Sequence, residues 1–505
     1  MLEKISDLPS PLAMHLCSDC VRILVFTHSL STVTVYPLIN TCDPKIMSNT
    51  TQKTSSLAAI QIAACLGFLV VQLDVSVVNV GLGALKTAFD TNLTGLQWVI
   101  NSYALAFSAL LILGGAAGDK FGARTVFASG FALFTLASIG CGLSNSMGML
   151  IGMRVVQGVG AALLVPTSLT LIRLAFEDPA ERRSAVAMWG ACGGIALAAG
   201  PVMGGLLIEW LGWRSVFLLN VPIGILAIIL IMRYAPSSPR IDKQVDVPGQ
   251  ISIGICLASL TYALTESSSK GWVTETLSTM AVAVICAIAF ILIERRVKNP
   301  MLPSRLARNK TLATTALAGA AINLTFYGTV FVFSIYFQSF LHYDAFRTGL
   351  AFIPLTAVLT ISTMVSSRIA RHVSAQRIIT VGFLIQAVGF LALARVTPET
   401  SLWYLNIALM VVGIGSASSV PSITNSMLSS VSAHDAGMAS GLMASARQLG
   451  GVIGVAVFGA LITSTEPAAF SQGLSTAMIV SAVVLLVCIA VNHRVGRTAR
   501  QPVST

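Results

Sequence analysis

Two ionisable residues of opposite charge, Asp74 and Arg154, lie inside long apolar stretches of the sequence. A charge at the centre of a bilayer costs about 2.5–3.5 kcal/mol, so each residue needs a reason if these stretches cross a membrane. Each lies about seven residues, or about 10 Å, from one end of its predicted span, and both of these ends are on the same side of the membrane. An acid and a base at one depth can pair and share the desolvation cost. The two residues predict proton coupling through Asp74, with a static ion pair between two helices as the alternative.

Small and helix-bending residues accompany the two charges. Gln157 follows Arg154 by one helical turn, so both side chains are predicted on one helix face. The next apolar stretch contains a proline, which kinks a helix, among glycines that add little rigidity. These residues are Gly200, Pro201, Gly204 and Gly205. This composition predicts a helix that bends or slides, with passive packing as the alternative.

A charged loop is predicted after the second apolar stretch, with Asp119 beside Lys120 and Arg124. We expect Asp119 to lie at the start of the third helix, where the helix dipole favours an acid. The arrangement predicts a latch that holds one conformation and then releases it. A simple topology signal is the alternative, and the two are compatible.

The composition places these elements in a membrane. The 505 residues are 55% hydrophobic and 10% charged, with a mean hydropathy of +0.82, whereas soluble domains contain about 25% charged residues. The net charge of +11 comes from basic residues in short loops, where they determine topology. The lipid bilayer is therefore an expected partner, and nucleic acid is not.

Fourteen apolar runs approach the length of about 20 residues that a spanning helix needs. Their predicted bounds are 58–81, 97–117, 126–143, 147–172, 184–208, 215–233, 247–266, 276–293, 313–340, 347–367, 378–395, 402–428, 436–464 and 473–492. The connecting loops alternate between strongly and weakly basic, and positive loops stay inside the cell. We therefore predict a multi-pass protein of the cytoplasmic (inner) membrane with both termini in the cytoplasm.

The spans follow a six-two-six arrangement. A faint repeat of about 252 residues lays the first six helices on the last six, as in transporters built from parallel repeats. The sequence predicts an all-α polytopic membrane protein with two six-helix bundles and two extra central helices. The predicted regions are a disordered extension or mis-called start at 1–46, a cytoplasmic tail at 47–57, the first bundle at 58–233, the inserted helices at 247–293, the second bundle at 313–492 and a basic tail at 493–505.

The sequence offers little for metal binding or enzymatic chemistry. Most of the nine cysteines lie in apolar runs, where a free thiol behaves as a small hydrophobe. The pair Cys17 and Cys20 lacks the second pair that a zinc site needs. The sequence contains no GxxxxGK[ST] nucleotide motif, and no Ser/His/Asp set is apparent. We predict no metal, no cofactor other than a coupling proton, and no enzymatic activity.

With these motifs in order, the sequence resembles the fourteen-helix drug:proton antiporter branch of the major facilitator superfamily, the EmrB/QacA-like group, over about residues 57–493. One motif is similar to the family's loop signature, although Ala123 replaces a usual arginine; its residues are Gly115, Asp119, Lys120, Gly122 and Arg124. Arg154, Gln157, Gly158 and Gly160 resemble the helix 4 motif linked to proton transfer. Gly200, Pro201, Gly204 and Gly205 resemble the antiporter motif of helix 5. Leu73–Val80 and Trp213–Pro222 resemble the family's helix 1 motif and helix 6 entry.

The resemblance implies alternating access, in which proton entry drives export of a lipophilic compound. Asp74 and Arg154 would carry coupling, the loop signature would gate the cytoplasmic side, and the helix 5 motif would favour exchange. Relatives of this type work with a periplasmic adaptor or alone, and the sequence is compatible with both. The other readings are a proton-coupled importer or symporter of a small metabolite, and a non-transporting membrane sensor.

The substrate cavity is expected to be mostly apolar apart from Asp74. A second intramembrane cation, Arg447, has Gln448 beside it and no acidic partner within the predicted helices. It would face backbone carbonyls, an anionic substrate or a water-filled cavity. The other polar or aromatic candidates for the lining are Gln97, Trp98, Asn101, Tyr103, Asn323, Tyr327, Tyr336 and Gln338. Such a lining fits neutral, zwitterionic or weakly anionic amphiphiles.

Overall fold

The computed structural model describes residues 16–17, 20–21, 44–238, 246–297, 300, 304–370, 372–432, 435–462 and 466–498. The chain divides into two compact units, Met1–Ala58 and Ala59–Thr505. In the smaller unit, strands β1 (Leu16–Cys17) and β2 (Cys20–Val21) pair in antiparallel fashion. Most of the predicted extension at 1–46 lies outside the described residues. The predicted tail at 47–57 is helical, because α1 begins at Pro44 and no helix breaker follows before the span.

The larger unit is built from helices that match the predicted series of membrane-spanning segments. The helices of its first half are α1 (Pro44–Val80), α2 (Leu82–Phe89), α3 (Leu93–Phe121), α4 (Ala123–Gly142), α5 (Met147–Ala175), α6 (Pro179–Leu211), α7 (Ser215–Leu218) and α8 (Asn220–Tyr234). The remaining helices are α9 (Val247–Lys270), α10 (Thr274–Arg296), α11 (Ser304–Ala307), α12 (Lys310–Ser339), α13 (Ala345–Ala351), α14 (Ile353–Ile369), α15 (Ala375–Leu393), α16 (Leu402–Ser429), α17 (Ala436–Leu461) and α18 (Pro467–Thr498).

Among the described residues, 13 helices are long and apolar enough to cross a membrane. Counted as one span bent by 42°, the helices α13 and α14 bring the number to the predicted fourteen. The bend falls at Phe352, the residue between α13 and α14, and Pro354 lies near the start of α14. Proline cannot donate the hydrogen bond that would continue α13 through this point.

The helix ends follow from short polar residues beside the apolar runs. The side chain of Ser146 accepts a hydrogen bond from the backbone of Met149 at 3.3 Å and starts α5. Asp178 accepts from the backbone N–H groups of Ala180 and Glu181 at 2.9 and 2.8 Å and starts α6. Such caps satisfy N–H groups that a helix N-terminus otherwise leaves unpaired.

The predicted position of Asp119 is wrong. Asp119 and Lys120 lie in the last turn of α3, and Gly122 alone separates α3 from α4. Gly122 has a φ of +91°, which favours glycine, so the chain turns there and the residues before it remain helical. Asp119 is consequently near a helix C-terminus, where the dipole does not favour an acid.

The spans pack as two sets joined by a small number of helix pairs. Within the first set α5 packs against α3 and α4, and within the second set α12 packs against α17 and α15 against α16. The inserted helices α9 and α10 pack together, and α9 also contacts α3 and α17. The two sets meet where α3 contacts α17 and where α6 contacts α13. We call the side holding Lys120, Arg182 and Arg233 the basic end, and the other side the opposite end.

Glycines set the closest approach in the second set. A side chain added at Gly450 of α17 would overlap the carbonyl oxygen of Ala320 in α12 and lie 2.8 Å from the Ala320 Cα. One turn on, Gly454 meets the backbone of Leu324 in the same way. Small residues at such contacts allow backbones to pack without an intervening side chain.

We predict that Gly450→Ala destabilises the protein by about 1–3 kcal/mol, because the added methyl group forces α12 and α17 apart. Thermal unfolding of the purified protein in detergent measures the effect. Gly441→Ala in the same helix is the matched control, since nothing lies within 4 Å of its added Cβ. The control should be neutral or stabilising, because alanine favours helix. Equal unfolding temperatures for the two variants would contradict the close contact.

Candidate functional site

Asp74 and Arg154 form a buried ion pair between α1 and α5. Arg154 Nη1 lies 2.5 Å from Asp74 Oδ2, and the side chains are 1% exposed or less. Gln157 completes the group, because its Nε2 donates to Asp74 Oδ1 at 2.9 Å and its Oε1 accepts from Arg154 Nη1 at 2.8 Å. The structure thus brings together the three residues that the sequence assigned to proton coupling.

Two further polar residues belong to the same network, and the sequence analysis did not include them among the site residues. Asn220 Nδ2, at the start of α8, donates to Asp74 Oδ1 at 3.2 Å. Ser138 Oγ, in α4, accepts from Gln157 Nε2 at 2.8 Å and from Asn220 Nδ2 at 3.3 Å. The signal for Asn220 was its place in the resemblance motif Trp213–Pro222. Ser138 carried no signal, since a lone serine in an apolar run is usually bonded to its own helix.

A backbone oxygen and two aromatic rings enclose the side chain of Arg154. Its Nε donates to the backbone oxygen of Val99 at 3.0 Å. The guanidinium carbon lies 4.2 Å from the ring centre of Tyr103 and 5.9 Å from that of Phe217. Aromatic faces stabilise a cation from which water is excluded. Tyr103, predicted to line the substrate cavity, instead covers the buried arginine.

The carboxylate of Asp74 is held by three N–H donors from two helices, α5 and α8. Arg154 donates to Oδ2, whereas Gln157 and Asn220 donate to Oδ1. A proton on Asp74 would remove the charge that Arg154 compensates and one of the acceptor positions. The Oδ1 atom of Asn220 is buried without a partner among the described residues. Rotation of this amide would present that oxygen to a protonated carboxyl group, so Asn220 can serve both protonation states.

The other face of α1 meets α6 and a central cavity. Ser76 Oγ donates to the backbone oxygen of Leu197 at 2.9 Å, and Gly204 packs against Val77. A small cavity lies beside this contact, with walls from α1, α6, α12, α14 and Phe352. Its lining residues are Ser76, Asn79, Leu197, Pro201, Phe326, Tyr327, Val330, Phe352, Leu355 and Thr356.

The glycines and proline of α6 join the two sets of helices at the opposite end. Gly200 packs on Ser76 of α1, and Gly205 packs on the backbone of Ala345 and Phe346 at the start of α13. Gly349 of α13 packs on the carbonyl of Pro201. The α6 motif is therefore the surface at which α6 contacts both α1 and α13.

The predicted gate residues lie at the basic end around the turn between α3 and α4. The backbone N–H of Arg124 donates to Ser238 Oγ at 3.1 Å, and its guanidinium donates to the backbone oxygen of Met232 in α8. Lys120 Nζ lies 5.6 Å from the ring centre of Phe121. Farther into α3, a side chain added at Gly115 would lie 3.6 Å from Pro166 Cβ of α5.

Several predicted cavity residues make contacts between helices away from the central cavity. Trp98 Nε1 donates to Glu266 at 2.8 Å and Asn101 Nδ2 donates to Thr265 at 3.2 Å, so both face the inserted helix α9. Gln97 Nε2 donates to the backbone oxygen of Val455 in α17 at 3.4 Å. These residues lie on faces of α3 that helices cover, and periodicity alone does not identify the neighbouring helix.

Two more candidates are packed near the opposite end. Tyr336 Oη donates to the backbone oxygen of Thr397 at 2.9 Å, and its ring contacts Phe340 and Phe470. Gln338 Nε2 donates to the backbone oxygen of Val80 at 2.9 Å. Tyr327 does line the central cavity.

The remaining candidates lie in the second set of helices. Arg447 Nε donates to Asn323 Oδ1 at 3.4 Å. Arg447 also lines a second cavity, between α12, α16 and α17. Gln448 follows it in α17 and is partly buried. In the described part of the chain, no group of three or more His, Cys, Asp or Glu side chains is placed to hold a metal ion.

Comparison with known proteins gives one family. The family model described as Major Facilitator Superfamily matches residues 64–455. The methylenomycin A resistance protein of Streptomyces coelicolor is 33% identical over 80% of this chain and 85% of its own length. The puromycin resistance protein pur8 of Streptomyces alboniger is 34% identical, over 85% of this chain and 86% of its own length.

Similar relations hold for a multidrug resistance protein and for a solved structure. The multidrug resistance protein Stp of Mycobacterium tuberculosis is 32% identical over 83% of this chain and 78% of its own length. The crystal structure of a bacterial homologue of the human lysosomal transporter Spinster superposes with a TM-score of 0.62 at 18% identity, covering 88% of this chain and 97% of that one. At this identity the structural likeness shows the fold alone.

We predict that Ser138→Ala lowers the free energy of unfolding by about 1–3 kcal/mol, because the amides of Gln157 and Asn220 lose a shared buried acceptor. Thermal unfolding in detergent measures the loss. Ser129→Ala is the control on the same helix, since the Ser129 hydroxyl bonds only to Val126 of its own helix, at 3.0 Å. Indistinguishable stabilities would show that the network does not depend on Ser138.

Proposed function

We propose that this chain, which belongs to the Major Facilitator Superfamily, exports lipophilic small molecules across the cytoplasmic membrane in exchange for protons. The observation that carries the proposal is the buried group of Asp74, Arg154 and Gln157. The names of the relatives, which include resistance to puromycin and methylenomycin A, support drug-like substrates. The remaining choices are transport in the same direction as protons and sensing without transport.

Proton coupling would act through the charge balance of the ion pair. With Asp74 ionised, Arg154 of α5, Gln157 of α5 and Asn220 of α8 all bond its carboxylate and hold α1. A proton that reaches Asp74 weakens these bonds and leaves Arg154 with an uncompensated buried charge. Because such a charge is costly, protonation favours a conformation in which α1 and α5 are arranged differently.

The helix α1 would carry this signal to the substrate. Ser76 and Asn79 line the central cavity from the face of α1 that does not carry Asp74. A shift of α1 would change its contact with Gly200 and Gly204 of α6, and through Gly205 the contact with α13. The proton and the substrate would thus act on different faces of one helix. Coupling requires no direct contact between them.

The remaining assignments complete the proposal. The positive loops favour an orientation with both termini in the cytoplasm. The protein would need only protons as a cofactor, would leave its substrate chemically unchanged, and would use the lipid bilayer and a lipophilic compound as its partners. A periplasmic adaptor and independent action are both compatible with the sequence.

We predict that Asp74→Asn reduces proton-driven transport at least about tenfold, because the amide cannot gain and lose the proton. The measurement is the accumulation of a panel of lipophilic compounds, including puromycin and tetracenomycin C, in proteoliposomes with an imposed pH gradient. Glu177→Gln is the matched control, since Glu177 is exposed in the connection between α5 and α6.

Three outcomes separate the elements of this proposal. Native activity in the control with loss in Asp74→Asn supports coupling through Asp74. Full gradient-driven transport by Asp74→Asn would refute the coupling residue. Failure of the native protein to move any compound of the panel under either gradient would refute proton-driven drug export itself.

A further inference from the structure

Arg447 is a charge within a membrane span that lacks an acidic partner in the described part of the chain. The span Met438–Leu461 places it nine residues from the basic end, or about 14 Å into the membrane. Its only hydrogen bond to a described residue runs from Nε to Asn323 Oδ1, at 3.4 Å. The Nη groups, which carry four of the five N–H donors, have no acceptor among the described residues. Arg154, by contrast, is bonded to a carboxylate, an amide and a backbone carbonyl.

The cavity beside Arg447 has apolar walls. It is small, with space for about one water molecule in this conformation. Its lining residues are Gly319, Ile322, Val420, Ile423, Thr424, Met443 and Arg447. Its apolar walls, single charged group and one hydroxyl match the composition of a site for an amphipathic small molecule, which would enter only if α12 separated from α16 and α17.

Neighbouring residues leave space for the arginine side chain. A side chain added at Gly319 would lie 3.0 Å from Arg447 Cγ and 2.8 Å from Met443 Sδ. Gly319 therefore allows the arginine stem to lie directly against α12. On the next turn, a side chain added at Gly451 would lie 2.9 Å from the ring of Tyr327. The stem of Arg447 is thus packed against Gly319, while its Nη groups have no acceptor among the described residues.

From this geometry we propose that Arg447 binds the anionic group of an amphipathic ligand, such as a carboxylate, and that α12, α16 and α17 move apart to admit the apolar part of the ligand. An anion bound by the guanidinium fork would give the two Nη groups acceptors and neutralise the charge. The inference rests on the proposed export function and specifies its substrate class. A phosphate of an anionic lipid offers the same chemistry, and the experiment below separates the two sources.

The cavity beside Arg447 and the central cavity are both lined by α12. Gly319, Ile322, Phe326 and Val330 recur every three or four residues and lie on one face of α12. The first two line the cavity of Arg447, and the last two line the central cavity. A ligand whose anionic group contacts Arg447 could therefore extend its apolar body along α12 towards Phe326 and Tyr327. Asp74 would repel no part of it, because Asp74 is enclosed by its own partners.

The test compares two probes that share an apolar body. Binding of naphthalene-2-acetate and naphthalene-2-acetamide is measured on the full-length protein in phosphatidylcholine nanodiscs, with empty nanodiscs subtracted. We expect the native protein to bind the carboxylate at least about tenfold more tightly than the amide, because only the carboxylate pairs with the guanidinium. Arg447→Gln should bind both probes equally and retain the native affinity for the amide within about twofold.

Two more variants make the result specific. Arg447→Lys keeps the charge without the fork and should retain only part of the preference. If Arg447→Gln fails to fold, the preference of Arg447→Lys for the carboxylate over the amide tests the role of Arg447 by itself. Arg347→Gln removes an arginine whose side chain is 69% exposed, and it should behave as the native protein. Equal binding of the two probes by the native protein, or an undiminished preference in both Arg447 variants, would overturn the proposal.

A lipid arm identifies the source of the anion. In nanodiscs where phosphatidylglycerol replaces part of the phosphatidylcholine, weaker carboxylate binding by the native protein, with no change in Arg447→Gln, assigns the site to a lipid headgroup. Unchanged binding assigns it to the transported compound. Because no gradient is present, failure of proton coupling leaves this test unaffected. Export of neutral compounds by a protein that shows no preference would overturn the anion site and leave the proposed function standing.

Discussion

The cost of an ionised carboxylate inside a bilayer governs the arrangement of the first helix bundle. Asp74 remains charged only if donors replace the water it has lost. Arg154, Gln157 and Asn220 supply them from α5 and α8, and Ser138 of α4 holds the two amides in place. One charge thereby fixes the relative positions of four helices. None of these donors bonds another carboxylate among the described residues, so their buried N–H groups depend on Asp74.

Helical geometry separates this charge from the cavity. Asp74 and Ser76 are two residues apart and hence about 200° apart around α1, whereas Ser76 and Asn79 fall on one face. The face of α1 that carries Asp74 is directed at Arg154, and the face that carries Ser76 and Asn79 is directed at the cavity and at α6. Gly200 and Gly204 let α6 lie directly on that second face. The cavity lining can therefore vary without altering the ion pair, since the two share a helix and no side chain.

The sequence predicted the fold and the centre of the site because both depend on the cost of polar groups in lipid. Fourteen spans and the grouping of Asp74, Arg154 and Gln157 follow from that constraint. Apart from the position of Asp119, the differences concern which helix a face meets. Trp98 and Asn101 face the inserted helix α9, and Tyr336 packs among aromatic rings near the opposite end. Periodicity tells that a residue shares a face with others, and only the tertiary arrangement tells what covers that face.

The two bundles treat their buried arginines differently, and the difference is informative. Both Arg154 and Arg447 lie in spans, and both spans contain glycines that admit a close neighbour. Arg154 has a carboxylate at 2.5 Å, aromatic faces and almost no exposed surface. Arg447 has one amide oxygen at 3.4 Å and borders a cavity. A fold that can satisfy an arginine as fully as the first bundle does has no structural need for a second one left incomplete. The unused donors of Arg447 are therefore better explained by a ligand than by packing.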